Sequence, residues 1–96
     1  MKTVYEDNDV IVKLEWFEEL KAYTIHTEVH NWSLSKYKKY IHILGKILNN
    51  LKSEGHTKLY AIPPTEKEQK WEELFGFKET CMTYGNYKIM ELDYGT

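Results

Sequence analysis

The chain has a single cysteine, Cys81, so it cannot form an internal disulfide or a two-thiol metal or redox site. This composition fits a reducing compartment, and we expect a cytoplasmic protein. Long hydrophobic runs are also missing. Residues 1–10 are acidic where a secretory signal would be apolar, and no stretch reaches the length of a membrane span. We therefore expect neither an exported nor a membrane protein.

An excess of charge of one sign is lacking as well, because 13 basic residues nearly balance 15 acidic ones and leave a formal net charge of −2. No sequence-wide basic field attracts nucleic acid or an anionic membrane, and we expect neither as a partner. Glycine and proline are few, at five and two, and they form no linker, repeat or low-complexity tract. With 42% hydrophobic and 15% aromatic residues, the chain is predicted to form one globular domain over residues 1–96.

One long amphipathic helix organises the prediction, and it falls within residues 32–55. Its apolar residues recur at three- and four-residue steps and form a stripe that must be buried. The stripe consists of Tyr37, Tyr40, Ile41, Leu44, Ile47, Leu48 and Leu51. Asn31, Ser33 or Ser35 can cap the start, and Gly55 suits the left-handed position after the end. Gly45 lowers helix propensity and is a candidate for a close packing contact.

The residues before the helix alternate as strands do. Residues 2–6 and 10–17 are predicted strands joined by a turn at residues 7–9, Asp-Asn-Asp, and residues 22–30 form a third strand. In the second strand Val10, Val12, Leu14 and Trp16 share one apolar face. We expect this face to lie against the long helix.

The residues after the helix predict a strand, a short helix and a hairpin. Residues 57–62 should pair with the strand before the long helix through a right-handed crossover. Thr65 and Glu68 have the spacing of a capping box at the start of a second helix, in which Trp71, Leu74 and Phe75 are expected to be buried. Strands follow at residues 77–83 and 87–94. The predicted fold is α+β, with a mixed, mostly antiparallel sheet and two helices in the order β-β-β-α-β-α-β-β.

This order, with the sequence FGFKE at residues 75–79 and a final hairpin ending in YKIMEL at residues 87–92, resembles the C-terminal portion of the GNAT superfamily of N-acetyltransferases. The resemblance covers approximately residues 10–92, and the family's leading strand and helix are missing or reduced. The chain resembles small, truncated acetyltransferase-like proteins of the type encoded by bacteriophages. The resemblance implies a GNAT-like fold and acetyl-coenzyme A as the cofactor to test.

Two departures separate the chain from that family. The family binds the pyrophosphate of acetyl-coenzyme A with a glycine-rich loop at the start of the long helix. Here residues 32–39 read WSLSKYKK, without glycine, and side chains crowd the backbone approach that glycine allows. The cofactor-binding candidates are the residues at that position, namely Ser33, Leu34, Ser35, Lys36, Tyr37 and Lys38. The lysines either hold a phosphate by charge or form an ordinary solvated helix start.

The second departure concerns catalysis. In the family a tyrosine of the short helix often protonates the leaving thiolate. Aligned on Gly76 and Phe77, that position is Glu72, or Trp71 if the alignment shifts by one residue, and neither is tyrosine. The catalytic candidates are Glu28, as a general base, and Tyr84, as a hydroxyl donor from the last hairpin. The alternative for Tyr84 is cross-strand packing.

His26, Glu28 and His30 share the polar face of the third strand, which allows a metal site, a general base or a plain polar surface. The spacing supports no fixed metal motif, and no metal is predicted. Cys81 is expected to be buried or half-buried. The three tryptophans are expected in the core, with Trp32 the one that borders a pocket if any does.

Two functional hypotheses remain open. The first is a degenerate acetyltransferase-like protein that does not use acetyl-coenzyme A and binds another macromolecule, a protein partner. The second is an active N-acetyltransferase with an atypical cofactor loop, acting on a small amine substrate. A homodimer through an exposed edge of the sheet is a further interpretation, opposed in part by the charges of the last strand.

Overall fold

The computed structural model describes residues 1–30 and 33–94. It confirms the predicted α+β fold and the predicted order of elements. The strands are β1 (Lys2–Glu6), β2 (Val10–Phe17), β3 (Ala22–Val29), β4 (Lys58–Ala61), β5 (Lys78–Tyr84) and β6 (Tyr87–Asp93), and the helices are α1 (Leu34–Ser53) and α2 (Glu66–Leu74).

The strands form one six-stranded sheet in the order β1-β2-β3-β4-β6-β5. All pairs are antiparallel except β3 and β4, which are parallel and joined through α1 as predicted. The last strand lies inside the sheet, between β4 and β5, so its charges do not protect an edge. The edges are β1 and β5, and the pairing register of each is interrupted once.

Both helices pack on one face of the sheet, which we call the helix face. Val10 and Val12 of β2 and Ile25 of β3 lie on this face and line a cavity together with residues of α1 and α2. Leu59 of β4 and Met90 of β6 continue the same core and are fully buried. Burial of this surface supplies the main stabilisation of the fold.

The opposite face of the sheet, which we call the open face, holds a smaller cluster. Ala22, Tyr60 and Ile89 are buried there, and Ile62 and Met82 pack beside them. Neither of the two described helices covers this cluster, because both lie on the helix face. Apolar and polar side chains of the sheet are therefore left side by side on one surface.

The stripe of α1 is only partly buried. Tyr40 and Leu51 are 4% exposed, whereas Ile41 is 43% exposed. Ile41 therefore lies at the margin of the apolar stripe, outside the part that the sheet covers. Gly55 has a φ of +92°, as predicted for the residue after the helix. A side chain at Gly45 would meet no atom within 4 Å, so the expected close contact at this glycine is absent among the described residues.

The ends of the helices differ from their predicted caps. Ser33 is the N-cap of α1, but its side chain makes no capping hydrogen bond, and Asn31 and Trp32 lie outside the described residues. At α2 the backbone N–H of Glu68 donates to Oγ1 of Thr65 over 3.4 Å, which is one half of the predicted capping box. Leu74, which the sequence predicts to be buried, is 54% exposed, since it is the last residue of α2.

Two further burial predictions are wrong. Trp16 is 42% exposed, because β2 runs past the core at its end and the indole lies at the rim of the sheet beside Tyr23 and His56. Cys81 is an exposed free thiol on the edge strand β5, where it has a neighbouring strand on one side only.

Candidate functional site

The predicted cofactor site lies at the start of α1, where two lysines are already paired with acids. Lys36 Nζ is 2.8 Å from Asp9 Oδ1, and Lys39 Nζ donates to Asp7 Oδ2 over 2.7 Å. Both acids belong to the turn between β1 and β2, which lies against the helix start. We call this arrangement the Asp–Lys clamp, defined by Asp7, Asp9, Lys36 and Lys39.

Asp7 is held in place by four donors. Its carboxylate accepts from Lys39, from the Tyr5 hydroxyl at 2.6 Å, and from the backbone N–H groups of Asp9 and Val10 at 2.8 and 2.9 Å. The lysine, then the tyrosine, hold the pKa of Asp7 well below its ordinary value, and Asp7 in turn raises the pKa of Lys39. Both groups are therefore charged at neutral pH.

The other predicted cofactor residues have different local roles. The Oγ atoms of Ser33 and Ser35 lie 3.0 Å apart and share a hydrogen bond. The Tyr37 hydroxyl donates to the carbonyl of Leu74 over 3.1 Å, and its ring stacks on Phe75 with centroids 5.4 Å apart. Tyr37 thus joins α1 to α2. Lys38 is exposed.

The helix start does not fit the pyrophosphate of acetyl-coenzyme A. An incoming anion would meet the carboxylates of Asp7 and Asp9 beside the two lysines it needs. Residues 33–38 also contain no glycine at which the backbone could approach the phosphates closely. Leu34 supplies the first turn of the helix and no charge.

A buried carboxyl lies on the helix face. Glu72 of α2 is 7% exposed and lines a cavity of about 30 Å³, close to the volume of one water molecule. Its Oε2 atom has no hydrogen-bond partner among the described residues. Burial, and then the neighbouring charge of Glu68, raise the pKa of Glu72 to about 8. The carboxyl is therefore mostly protonated at neutral pH.

A second concave surface lies on the open face, with a volume of about 630 Å³, within the size range of ligand sites. Its lining comes from the end of β2 and the turn after it, from Ile62 and Pro64 after β4, and from the tip of the β5–β6 hairpin. Four aromatic residues contribute to its lining, Trp16, Phe17, Tyr84 and Tyr87, and the indole of Trp16 also packs against Tyr23 and His56 at the rim of the sheet. We call this surface the aromatic groove.

Two of these residues are in contact, since the Phe17 and Tyr84 rings meet edge to face with centroids 5.4 Å apart. The exposed fractions of three of the four aromatic residues are high, with Tyr84 at 55%, Tyr87 at 48% and Trp16 at 42%. Aromatic rings gathered in a concavity rather than scattered over a surface are typical of recognition sites.

Carboxylates accompany these rings. Glu15, Glu18 and Glu19 line the aromatic groove. Glu18 accepts from Trp16 Nε1 over 2.8 Å and pairs with Lys21 outside the groove, and these contacts, Lys21 first, lower its pKa. Lys21 adopts a φ of +51°, which turns the chain tightly between β2 and β3.

His26 also lines the aromatic groove. Its Nε2 atom is 3.1 Å from Glu15 Oε1 and 3.3 Å from the hydroxyl of Thr24, which is fully buried. Glu28 and His30, which share its strand face in the sequence, are exposed. Within residues 1–30 and 33–94 no group of three or more His, Cys, Asp or Glu side chains is arranged to hold a metal.

The structure does not bring the two catalytic candidates into one pocket. Tyr84 lines the aromatic groove, whereas Glu28 lines neither this groove nor the cavity at Glu72. Neither the Asp–Lys clamp nor the aromatic groove was predicted from the sequence, because each joins residues far apart in the chain. The only local signal for the groove is the clustering of Glu15, Trp16, Phe17, Glu18 and Glu19 at the end of one strand.

Among the described residues, no helix is long and apolar enough to cross a membrane. Comparison with protein-family models, with curated proteins and with solved structures finds no match to this chain.

Proposed function

We propose that the chain is a small acetyltransferase-like protein that has lost ordinary use of acetyl-coenzyme A and acts by binding a protein partner. The observation that carries this proposal is the Asp–Lys clamp. Asp9 and Asp7 neutralise Lys36 and Lys39 at the position where the resemblance implies a pyrophosphate. The exposed rings of the aromatic groove support the binding half of the proposal, because exposed apolar concavities commonly mark interaction sites.

Calorimetric titration with acetyl-coenzyme A and coenzyme A tests the loss of cofactor use. We expect no heat of binding and no thermal shift at millimolar cofactor, because the clamp leaves the helix start without a free positive pair. A micromolar dissociation constant, equivalent to about −8 kcal/mol, would overturn the proposal.

A double variant that removes the acids of the clamp is expected to gain anion binding. Asp7→Asn with Asp9→Asn keeps hydrogen-bonding side chains in the turn but removes both charges from the clamp. We expect this variant to bind pyrophosphate more tightly than the parent chain does. The matched control is Glu66→Gln with Glu73→Gln, which removes the same charge from exposed positions of α2. Equal binding by the two double variants would mean that net charge, not the clamp, governs anion binding.

Acetyl transfer is a second candidate, and one observation favours it. Glu72, which aligns with the family's catalytic tyrosine, has a pKa of about 8 and can donate a proton at neutral pH. Transfer of labelled acetyl from acetyl-coenzyme A to a polyamine or a lysine peptide, lost in Glu72→Gln and retained in Glu73→Gln, would support this candidate. Absence of transfer is the result we expect.

A further inference from the structure

We propose that the aromatic groove binds an arginine-containing basic segment of a protein partner. This inference rests on the proposed function in taking binding, rather than acetyl transfer, as the activity, and it names the chemistry of the partner. The groove combines exposed ring faces with carboxylates, and a guanidinium is the side chain that satisfies both at once.

The rings supply the first half of the complementarity. Tyr84 and Tyr87 are 55% and 48% exposed, so their faces are accessible to a ligand. Arginine stacks on aromatic faces through cation–π attraction and through its flat, weakly hydrated surface. Lysine makes the cation–π contact but does not stack, because its ammonium is compact and strongly hydrated.

The carboxylates supply the second half. Glu15, Glu18 and Glu19 line the aromatic groove, and its lining contains no lysine within the part of the chain that the structure describes. A negative lining attracts a cationic segment and repels the phosphates of a nucleic acid. The planar fork of arginine also matches a carboxylate with two parallel hydrogen bonds.

Among the described residues, Lys21 and His26 pair with these carboxylates. Lys21 pairs with Glu18, but the two side chains are 73% and 69% exposed, and an ion pair so exposed is weak enough for a bidentate arginine to replace it. His26 contacts Glu15. Glu19 is exposed and lines the groove, so an incoming arginine can engage it without displacing Lys21 or His26.

Fluorescence anisotropy with short labelled peptides of alternating arginine and glycine tests the inference on the full chain. We expect micromolar binding of the arginine peptide, about fivefold weaker binding of the equivalent lysine peptide, and none of the glutamate peptide. Binding of the arginine peptide should weaken as salt is raised, because the carboxylates are partly exposed.

Exposed positions allow variants that leave the core intact. Tyr87→Ala removes one ring, and we expect about fivefold weaker binding. Glu18→Gln with Glu19→Gln removes two charges but leaves an amide oxygen that can still accept from Trp16, and we expect weaker binding with a smaller dependence on salt. Glu66→Gln with Glu73→Gln, on the opposite side of the sheet, is the matched control and should bind as the parent chain does.

Several outcomes would overturn the inference. One is no binding of the arginine peptide at millimolar concentration, and another is equal binding of the arginine and glutamate peptides. A third is an equal loss of affinity in the groove variants and the control variant. The last is displacement of the peptide by a single-stranded oligonucleotide. Failure here is distinguishable from failure of the proposed function. Cofactor binding in calorimetry would contradict the proposed loss of cofactor use but would not bear on the aromatic groove. No binding of the arginine peptide would contradict the inference about the groove but would not bear on the Asp–Lys clamp.

Discussion

At the scale of single residues, Glu72 is the group whose environment departs furthest from the one its chemistry favours. A carboxylate that is 7% exposed beside an apolar cavity has lost its hydration, and Glu68 one helical turn away adds like charge. Tyr40 of α1 and Thr27 of β3 also line the cavity, and neither carries a positive charge at neutral pH. The folded chain therefore favours the protonated form of Glu72.

This preference predicts how stability depends on pH. The pKa of Glu72 is raised from 4.5 to about 8, so the folded state binds more protons than the unfolded state between these values, and its contribution to stability falls as pH rises through that window. One pKa unit corresponds to about 1.4 kcal/mol, so the total is of order several kcal/mol. Glu72→Gln should remove this dependence, which urea unfolding of both chains across the window would measure.

The control is Glu73→Gln, the neighbouring exposed glutamate of the same helix. Its stability should follow the parent chain at every pH. If the free energies of unfolding of Glu72→Gln and the parent chain instead run parallel from pH 4.5 to about 8, Glu72 ionises as a surface residue does and the cavity does not isolate it.

At the scale of elements, two glycines near the ends or within the helices differ in whether the backbone requires glycine. Gly45 lies within α1, and a side chain there would meet no atom within 4 Å. Gly76 follows α2 with a φ of +96°, and a Cβ atom there would lie 3.4 Å from Leu92 Cδ1. Only the second position needs glycine for its backbone.

We expect Gly45→Ala to stabilise the chain by about 1 kcal/mol, because alanine loses less backbone entropy in a helix. Gly76→Ala should destabilise it by about 1 kcal/mol or more, because an L-residue is strained in the left-handed region. Chemical denaturation with an unchanged m-value would measure both changes. Destabilisation by Gly45→Ala would show that α1 makes a contact at this position in solution.

The order of elements was predictable because its signals are local. The spacing of Tyr40, Leu44 and Leu51 marks a helix, the alternation in β2 marks a strand, and Gly55 marks the end of α1. Periodicity does not indicate how wide a surface the helix covers, so the prediction that Ile41 is buried is wrong.

The site was much less predictable, because it depends on contacts between distant segments. Asp7 and Lys39 are separated by 32 positions, and nothing in the helix-start sequence indicates that an acid from a distant turn will reach it. The insertion of β6 between β4 and β5 likewise depends on pairing across the whole sheet, and it decides where Tyr84 and Tyr87 lie. Sequence identified the lysines but not their partners.

At the scale of the whole molecule, the edges of the sheet bear on association. A flat edge strand offers unpaired backbone groups to a second chain, and natural proteins disrupt such edges with irregular pairing and charge. Both edges have these features here. The register breaks between Thr3 and Tyr5 on β1 and between Glu79 and Thr83 on β5. Lys2 and Glu6 on β1 add charge to the first of these strands.

We therefore expect a monomer of 11.5 kDa, although the sequence alone left a homodimer open. Light scattering coupled to size exclusion, in the presence of a reductant, would measure the mass. The reductant matters because Cys81 is exposed on β5 and two copies can join through a disulfide without any pairing of strands. A dimer that persists in reductant would contradict the expectation. Cys81→Lys would then identify β5 as the edge responsible if it restored the monomer, because a lysine on an edge strand opposes pairing.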